Sequence, residues 1–321
     1  MPIDLNELSL PELYRELNQT KLVGRLLEMA REEDLGTEAW HLADVTSVAF
    51  VDDWLKGTAQ IVPRKSGVVS GLACIDEILT LWRADVDLII NVPDGERAEA
   101  GQTIATLRGN LRSMLMAERT ILNLLGRMSG IATRTAAFVA EASKGGGAKV
   151  FDTRKTTPGM RILEKYAVRC GGGFCHRLGL YDAVLIKDNH LAVMKSRTGT
   201  GDLASLVRKS AKLAREEAPR MGLRFVMLEV DSIDQLKAIF AGDAAGRGDD
   251  QVTHILLDNM THEQIRACVQ LRNEQRVPVQ LEASGGVTLE TIGAISATGV
   301  DRISTGSITH GATWLDIGLD V

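Results

Sequence analysis

The spacing of apolar residues divides the chain into a mixed first part and a regular second part. Residues 10–33 carry apolar side chains at intervals of three and four, which predicts a helix. Residues 57–110 instead show short apolar runs separated by glycine and proline, a pattern typical of strands. A strongly helical pattern follows over residues 111–143 and ends in a run of glycines. We therefore predict an α+β sandwich domain over residues 1–130.

Beyond residue 131 the pattern becomes a regular alternation of short β-rich runs and helical runs. The β-rich runs occupy residues 148–152, 182–187, 223–230, 252–258, 277–283 and 300–305. The helical runs occupy residues 161–170, 203–217, 233–241, 262–272 and 289–298. Such alternation predicts parallel strands joined by right-handed crossovers, arranged either as an open doubly wound sheet or as a barrel.

Polar residues at the strand ends distinguish these two architectures. Nearly every predicted strand ends in charged, hydroxyl or glycine residues: 152–155, 187–189, Glu229, 258–259, 282–286 and 304–306. An open sheet concentrates function at one switch point, whereas a barrel brings all its strand ends to one circular face. The even distribution favours a barrel, although six strands are fewer than eight. We predict an incomplete TIM-like α/β barrel over residues 131–306.

Composition excludes several classes of protein. The chain has 37 Lys and Arg against 42 Asp and Glu, and 45% of its 321 residues are hydrophobic, which excludes disorder and a membrane span. Its net charge of -5 gives no general attraction to nucleic acid. The four cysteines form no CxxC pair, so neither a disulfide framework nor a zinc site is indicated. Because the N-terminus also lacks a signal-peptide pattern, we expect a cytoplasmic protein.

Residues 152–187 are a basic exception within this acidic chain. Seven basic and three acidic residues give the segment a balance of +4, which leaves -9 for the rest of the chain with its total of -5. Three of the basic residues have the spacing of a solvated helix face: Arg161, Lys165 and Arg169. Three others follow predicted buried strands: Arg154, Lys155 and Lys187. Because a charge at such a position is costly unless it meets a ligand or a counter-ion, we expect the second group to be functional.

Glycine-rich loops add two further kinds of candidate. His176 and Arg177 follow the triple glycine of residues 171–173, which lets the backbone approach a ligand closely. The segments Ser284-Gly285-Gly286 and Ser304-Thr305-Gly306 each follow a predicted strand. Small residues between a strand and a helix N-terminus make a phosphate cradle, and barrels often place one after their last strands.

Two carboxylates, Glu229 and Asp258, end consecutive predicted strands. Paired carboxylates at such positions commonly hold Mg²⁺ through water or act as acid and base, and they could equally neutralise Lys155 and Lys187. The spacing of His, Cys and Asp residues is not that of a metal-ligand cluster, so we expect no fixed transition metal. Together the candidates suit a polyanionic substrate that brings its own Mg²⁺.

The sequence around the basic segment resembles a known enzyme family. The run from Asp152 to Leu191, DTRKTTPGMRILEKYAVRCGGGFCHRLGLYDAVLIKDNHL, is very similar to that of the quinolinate phosphoribosyltransferases, also called carboxylating nicotinate-nucleotide pyrophosphorylases. Further similar segments cover nearly the full length: Glu33–Ser47, Ala117–Thr133, Leu228–Val230, Leu256–Met260 and Leu281–Val287. The resemblance implies a pentosyltransferase of de novo NAD synthesis, which converts quinolinate and phosphoribosyl pyrophosphate to nicotinate mononucleotide, CO₂ and pyrophosphate with Mg²⁺.

The resemblance also implies roles for the candidate residues. The residues that match the quinolinate pocket are Arg119, Arg154, His176, Arg177 and Lys187. Lys155 matches either that pocket or the phosphoribosyl side, and Thr153 is a further substrate-binding candidate. Glu229 and Asp258 match the carboxylates that face the ribose hydroxyls and the metal-pyrophosphate. The loops Ser284-Gly285-Gly286 and Ser304-Thr305-Gly306 match the 5′-phosphate region. The candidate catalytic residues are Lys155, Lys187, Glu229 and Asp258.

Two more expectations come from the family. The residue that matches Arg119 enters the active site of the neighbouring subunit, so a homodimer with shared sites is implied. The final segment, 307–321, is expected to return to the first domain. One position departs from the family pattern, because Cys175 stands where Asn is usual. This change is either a tolerated replacement or the sign of a shifted preference among aromatic acids.

Other interpretations compete with this one. Schiff-base aldolases also use a lysine at a barrel strand end, here Lys187. A repurposed, non-catalytic relative is a second alternative, against which the joint presence of the candidate basic residues argues. Residues 93–109 could suggest a swinging-arm carrier domain, but no lysine lies between Lys65 and Lys144 to carry the modification. Two segments are predicted to be surface loops without chemistry: 195–202 and 241–251.

Overall fold

The computed structural model describes residues 3–37, 44–218 and 223–321, which fold into two compact units. The first, here called the barrel unit, comprises Ala137–Arg154, Phe174–Ser307 and the first residues through Leu5. The second, the N-terminal unit, comprises Asn6–Ala136, Lys155–Gly173 and Ile308–Val321. Residues 38–43, which belong to the similar segment Glu33–Ser47, lie outside the described residues.

The described residues form helices and strands in the following order. The helices are α1 (Leu10–Asn18), α2 (Leu22–Leu35), α3 (Val45–Phe50), α4 (Ile75–Leu81), α5 (Leu111–Gly145), α6 (Arg161–Cys170), α7 (Asp188–Thr198), α8 (Leu203–Glu217), α9 (Ile233–Ala241), α10 (His262–Glu274) and α11 (Leu289–Ser296). The strands are β1 (Lys56–Pro63), β2 (Gly67–Val68), β3 (Val86–Ile90), β4 (Arg97–Ala98), β5 (Ala105–Asn110), β6 (Lys149–Phe151), β7 (Val184–Ile186), β8 (Val226–Val230), β9 (His254–Asp258), β10 (Gln280–Ser284), β11 (Arg302–Ser304) and β12 (Ile317–Asp320). Among them no helix is both long enough and apolar enough to cross a bilayer.

The barrel unit contains a parallel sheet whose strands follow one another in chain order. Its order is β6-β11-β10-β9-β8-β7, so the last strand of the series pairs with the first. Such closure is the topology of a barrel, because the first and last strands of an open sheet do not meet. In the described residues the ladder opens only between β6 and β7, where a single parallel bridge joins Phe151 to Phe174. The predicted incomplete α/β barrel and all six of its strands are confirmed.

The N-terminal unit is built on a four-stranded antiparallel sheet of order β12-β1-β5-β3. Its outermost strand, β12, comes from the end of the chain and pairs with β1 through Ile317 and Pro63. The apolar side chains of α1, α2 and α4 are buried in the same unit, including Leu13, Leu27 and Ile78. This mixture of helices and antiparallel strands confirms the predicted α+β class.

Two predicted elements differ from those observed. The helix expected over residues 10–33 is interrupted, because Lys21 adopts a left-handed conformation with φ 58° and separates α1 from α2. Helix α7 was not predicted, and it includes the first half of the expected loop 195–202. This helix has no fully buried residue, so its sequence lacks the apolar stripe by which a helix is predicted.

The expectation of a solvated face on α6 is wrong. Lys165 is fully buried, and eight of the ten residues of this helix are buried within the N-terminal unit. Arg161 donates to the Thr156 hydroxyl, and Arg169 donates to the carbonyls of Gly173 and Leu8. The side chains of Arg161 and Arg169 therefore bind neighbouring backbone and loop groups. Their helical spacing alone does not distinguish this arrangement from exposure to solvent.

A buried ion pair joins three segments of the N-terminal unit. Arg127 Nη2 lies 2.6 Å from Glu164 Oε1, and the same guanidinium donates to the carbonyls of Thr309 and Ala312. Glu164 also accepts from the backbone and hydroxyl of Thr157. Since both charges are almost wholly buried, removing one partner leaves the other without compensation.

This pair gives a prediction about stability. We expect Glu164→Gln to lower the free energy of unfolding by about 3 kcal/mol, since half of a buried ion pair is removed. The matched control is Asp234→Asn, which breaks the exposed pair with Lys237 and is expected to cost less than about 1 kcal/mol. Urea unfolding of both variants measures the difference. Equal losses would contradict the role given to Glu164.

Candidate active site

The strand ends of the barrel unit bring most of the candidate residues to one edge. Ser284 is in register with Asp258 on one side and with Ser304 on the other. Ser304 is in register with Phe151, after which the chain continues into Thr153 and Arg154. On the far side of the sheet the last registered pair of β7 and β8 is Ile186 and Leu228. The next residues, Lys187 and Glu229, therefore extend the same edge.

A basic and an acidic candidate form an ion pair there. Lys187 Nζ lies 2.6 Å from Glu229 Oε2, and both side chains are only partly exposed. Asp258 accepts a hydrogen bond from the Asn259 side chain. A cavity of about 150 Å³ adjoins these strand ends, and its lining includes Glu229, Asp258 and Asp231. Glu229 thus neutralises Lys187, which is one of the two roles considered for the paired carboxylates.

Two arginines of the barrel unit lie near each other. Arg177 is half-buried, and burial together with the positive charge of Arg154 lowers the pKa of its guanidinium, which Asp182 only partly offsets. Like charges in a partly buried place repel each other, so their proximity must be imposed by the fold. Such a pair is suited to a ligand with two carboxylates, because each guanidinium offers planar two-point binding.

His176 directly precedes Arg177 and is almost wholly buried. Its backbone N–H donates to Asp152 Oδ1 at 2.7 Å, and its Nδ1 accepts the backbone N–H of Arg177 at 2.8 Å. Its Nε2 lies 3.2 Å from Glu282 Oε1. Both ring nitrogens therefore face groups of the chain itself.

The sequence placed Glu282 among the polar strand ends but did not predict its pairing with Arg302 inside the barrel. Arg302 Nε lies 2.8 Å from Glu282 Oε2, at ion-pair distance but without the alignment of a hydrogen bond. The same guanidinium stacks on the Phe151 ring at 3.7 Å. Burial, with help from Arg302, lowers the pKa of His254 to about 3. The register of β10 and β11 places Glu282 opposite Arg302, but strand periodicity alone would give apolar residues at both positions.

The two glycine loops differ in local structure. Gly285 and Gly286 have φ values of 96° and 58°, and a side chain on Gly285 would collide with Asn259, so this turn requires glycine. Helix α11 begins shortly afterwards. The second loop is followed by a short 3₁₀ segment rather than an α-helix, and the backbone N–H of Ser307 donates to the Thr305 hydroxyl. Thr305 and Gly306 are buried.

Two candidates belong to the N-terminal unit. Lys155 is exposed, and its carbonyl accepts a hydrogen bond from the Thr309 hydroxyl at 2.8 Å. Arg119 lies on α5 with 66% of its side chain exposed, 3.9 Å from Glu118. The structure therefore brings together the candidates of the barrel unit and places Lys155 and Arg119 in a separate unit.

The ion pair of Lys187 bears on the aldolase alternative. A Schiff-base lysine must be neutral in order to attack a carbonyl, and it is usually desolvated or placed beside another cation. Lys187 instead contacts the Glu229 carboxylate, which stabilises the ammonium form. The geometry favours electrostatic binding of an anion over nucleophilic attack.

Each of the two parts of the chain matches one domain of a known family. Residues 131–320 match the family described as "Quinolinate phosphoribosyl transferase, C-terminal domain", and residues 44–129 match the corresponding N-terminal domain. The nicotinate-nucleotide pyrophosphorylase [carboxylating] of Mycobacterium leprae is 42% identical over 87% of this chain and 91% of its own. A probable enzyme of the same name from Bacillus subtilis is 38% identical over 90% of each chain.

A solved structure shows the same fold over the full length. The nicotinate-nucleotide pyrophosphorylase from Francisella tularensis superposes with a TM-score of 0.79 at 32% sequence identity. The match covers 100% of this chain and 99% of the other. Sequence and fold therefore agree on one family.

Proposed function

The chain belongs to the quinolinate phosphoribosyltransferase family, pentosyltransferases of NAD biosynthesis, and we propose that its barrel mouth joins quinolinate to phosphoribosyl pyrophosphate with loss of CO₂. The observation that carries this assignment is the match of residues 131–320 to the C-terminal domain of the family, and the effect of the Arg154 charge on the pKa of Arg177 supports it. Quinolinate has two adjacent carboxylates, and two neighbouring guanidiniums match them in charge and in planar geometry. Although the whole chain is acidic, the local excess of positive charge in residues 152–187 is suited to binding a dianion.

The proposed reaction has two steps. The pyridine nitrogen of quinolinate forms a bond to the anomeric carbon, while the bond to pyrophosphate breaks and its electron pair leaves with that group. The 2-carboxylate then departs as CO₂, and its bonding pair remains on the ring carbon, stabilised by the quaternised nitrogen until a proton from solvent replaces it. The chain supplies no covalent nucleophile. Positioning and electrostatics provide the rate enhancement.

Lys187, Glu229 and Asp258 are assigned to the centre of the site. The Lys187 ammonium stabilises the substrate carboxylates, and its contact with Glu229 fixes where that charge lies. Glu229 and Asp258 accept hydrogen bonds from the ribose hydroxyls and stabilise positive charge that develops on the sugar during displacement. Lys155 and Thr153 complete the anion-binding set, with Lys155 serving either substrate.

Mg²⁺ fits this set of donors as a companion of the substrate. Glu229 and Asp258 supply oxygen atoms of the kind that Mg²⁺ prefers, directly or through water. The described residues contain no group of three His, Cys, Asp or Glu side chains arranged to hold a metal ion. When bound, Mg²⁺ would neutralise the charge of the leaving pyrophosphate.

The two glycine loops are assigned to the 5′-phosphate. The backbone of Gly285 and Gly286 is unshielded, and the hydroxyl groups of Ser284, Ser304 and Thr305 lie on neighbouring strand ends. Backbone N–H groups and hydroxyls are the usual ligands of such a phosphate in a barrel.

A homodimer with shared sites completes the proposal. Arg119 is exposed on α5 and belongs to the N-terminal unit. Arg112, two turns earlier on α5, donates to the Val51 carbonyl and fixes the segment after α3. That segment exposes Phe50 by 84% and Trp54 by 73%, an apolar surface suited to a second copy of the chain.

The cellular site of the reaction is proposed to be the cytoplasm. All four cysteines are free and buried, which suits a reducing compartment.

Incubation of the purified chain with quinolinate, phosphoribosyl pyrophosphate and Mg²⁺ tests the proposed function. We expect nicotinate mononucleotide and pyrophosphate in equal amounts, and no reaction when either substrate is omitted. Borohydride added with a carbonyl substrate is expected to leave Lys187 unmodified. Trapping of Lys187, or the absence of nucleotide over a range of conditions, would overturn the assignment.

The departure at Cys175 gives a further prediction. Its side chain is fully buried, so an altered preference among aromatic acids has no exposed surface through which to act. We expect Cys175→Asn to leave the ratio of quinolinate to nicotinate turnover unchanged and to lower stability by about 1–3 kcal/mol, because a polar amide enters a buried place. Kinetics with both acids and thermal unfolding measure the two effects. A changed ratio would support the shifted preference.

A further inference from the structure

We propose that Thr309 is a positioning residue, which fixes the backbone of Lys155 and thereby the place from which the Lys155 ammonium meets its substrate. This inference rests on the proposed function, in which Lys155 binds one of the two anionic substrates, and deepens it. It also gives the buried ion pair of Arg127 and Glu164 a part in substrate binding beyond its contribution to stability.

The segment that carries Lys155 has no regular backbone structure of its own. Residues 155–157 form neither a helix nor a strand. At the start of the segment the Lys155 carbonyl accepts a hydrogen bond from the Thr309 hydroxyl at 2.8 Å. At its end the backbone N–H and the hydroxyl of Thr157 donate to Glu164 at 3.2 and 2.8 Å. Side chains from other parts of the N-terminal unit therefore set the conformation of this segment.

The two supports of the segment share one guanidinium. Arg127 Nη2 donates to the Thr309 carbonyl at 3.0 Å and to Glu164 Oε1 at 2.6 Å. The path of hydrogen bonds that leaves the segment at Lys155 therefore returns to it at Thr157, two residues further along. Because a buried network with all its bonds made is rigid, it restrains both ends of the segment at once.

Thr309 influences a substrate only through another residue. It directly follows the 3₁₀ segment Gly306–Ile308, and none of its side chain is exposed. A substrate therefore has no surface of Thr309 to contact. The side chain of Lys155, by contrast, is exposed and accessible to an anion.

The length of the lysine side chain explains why a fixed backbone matters. A lysine has a flexible four-carbon stem, and ordering it on a ligand costs conformational entropy. A backbone that is already held in place lowers the total cost of binding and directs the ammonium to one region. The hydrogen bond from Thr309 to the carbonyl of Lys155 provides this preorganisation at the residue itself.

Two substitutions of Thr309 separate hydrogen bonding from packing. Thr309→Val keeps the shape of the side chain but removes the hydroxyl, whereas Thr309→Ser keeps the hydroxyl and removes a methyl group. The substrate to follow is the one, quinolinate or phosphoribosyl pyrophosphate with Mg²⁺, whose Kd in calorimetry is weakened most by Lys155→Met. We expect Thr309→Val to weaken its binding about fivefold to tenfold, the loss of one hydrogen bond, and Thr309→Ser to stay within about twofold of the wild type.

Two results of that comparison would overturn the proposal. Weaker binding by Thr309→Ser than by Thr309→Val would show that the residue acts by filling space. Unchanged binding of both substrates in Lys155→Met would show that there is no lysine contact to position.

Thr298→Val is the matched control for a general loss of stability. The Thr298 hydroxyl is also buried and donates to a backbone carbonyl, that of Ile295 at 2.7 Å, but it lies in the barrel unit after α11. We expect Thr298→Val and Thr309→Val to shift the midpoint of urea unfolding by similar amounts. The Kd of Thr298→Val should stay within about twofold of the wild type, since a distant site acts independently. Equal losses of affinity in the two valine variants would overturn the proposal.

A double-mutant cycle tests whether the effect passes through Lys155. Thr309→Val is expected to change the Kd by less than about twofold when Lys155 is already methionine. Equal losses with and without the lysine would show that Thr309 acts by another route. If the wild type binds both substrates but forms no nucleotide, the proposed function fails while the comparison of Kd values still decides the role of Thr309. If the wild type forms nucleotide and Thr309→Val binds as tightly, only the positioning role fails.

Discussion

Replacing Arg154 or Arg177 by methionine is expected to lower kcat/KM for quinolinate about a hundredfold to a thousandfold, the usual loss when one preorganised donor is removed from an active site. The two guanidiniums are close enough for the charge of Arg154 to lower the pKa of Arg177. Removing either relieves that repulsion but leaves one carboxylate of the substrate without a partner. Steady-state kinetics at varied quinolinate measure the loss.

The controls for this prediction separate binding from folding. Arg97→Met removes an exposed arginine 3.7 Å from Glu99 in the N-terminal unit and is expected to leave kcat/KM within about twofold. The KM for phosphoribosyl pyrophosphate should change far less than that for quinolinate. Equal losses for both substrates, or wild-type kinetics in Arg177→Met, would contradict the assignment of these arginines to the dicarboxylate.

Mixing Arg119→Ala subunits with Lys187→Ala subunits is expected to restore activity that neither preparation has alone. If Arg119 serves the neighbouring barrel, each mixed dimer contains one intact site and one site that lacks both residues. Random exchange in an equal mixture then gives about a quarter of the wild-type activity, because half of the dimers are mixed and half of their sites are intact. The measurement is the rate of nucleotide formation after subunit exchange.

A chain that carries both substitutions is the control for that experiment. In a dimer with the wild type, the wild-type barrel receives the substituted position 119 and the wild-type Arg119 reaches a substituted barrel, so neither site is intact. Exchange in an equal mixture should therefore lower the total activity to about half. Absence of recovery between the single variants, with exchange verified by mass, would show that Arg119 does not act across subunits.

Much of the barrel could be predicted because each of its strands has a recognisable local sequence pattern. Runs such as residues 225–228 are continuous and apolar, as strands buried on both faces must be, and each is followed by the polar residues of the functional edge. The ion pair of Lys187 with Glu229 was among the alternatives, because both residues follow neighbouring strands. The even distribution of polar residues at the strand ends favoured the barrel over the open sheet, although six strands are fewer than eight.

The features that could not be predicted depend on contacts between distant parts of the chain, which a local sequence pattern does not reveal. Lys165 has the spacing of an exposed residue, yet its helix is enclosed by the N-terminal unit. Glu282 and Arg302 occupy positions where strand periodicity calls for apolar side chains, and only the register of two distant segments shows that they compensate each other. Helix α7 has no apolar stripe at all. In each case packing against another part of the chain overrides the local signal.

The most direct test of the account follows the carboxylate that the reaction is proposed to release. Quinolinate labelled in its 2-carboxyl group is incubated with the wild-type chain, phosphoribosyl pyrophosphate and Mg²⁺. The account predicts that the label appears only in CO₂, in an amount equal to the nicotinate mononucleotide formed, and only when phosphoribosyl pyrophosphate is present. Label retained in the nucleotide, or CO₂ released without phosphoribosyl pyrophosphate, would contradict it.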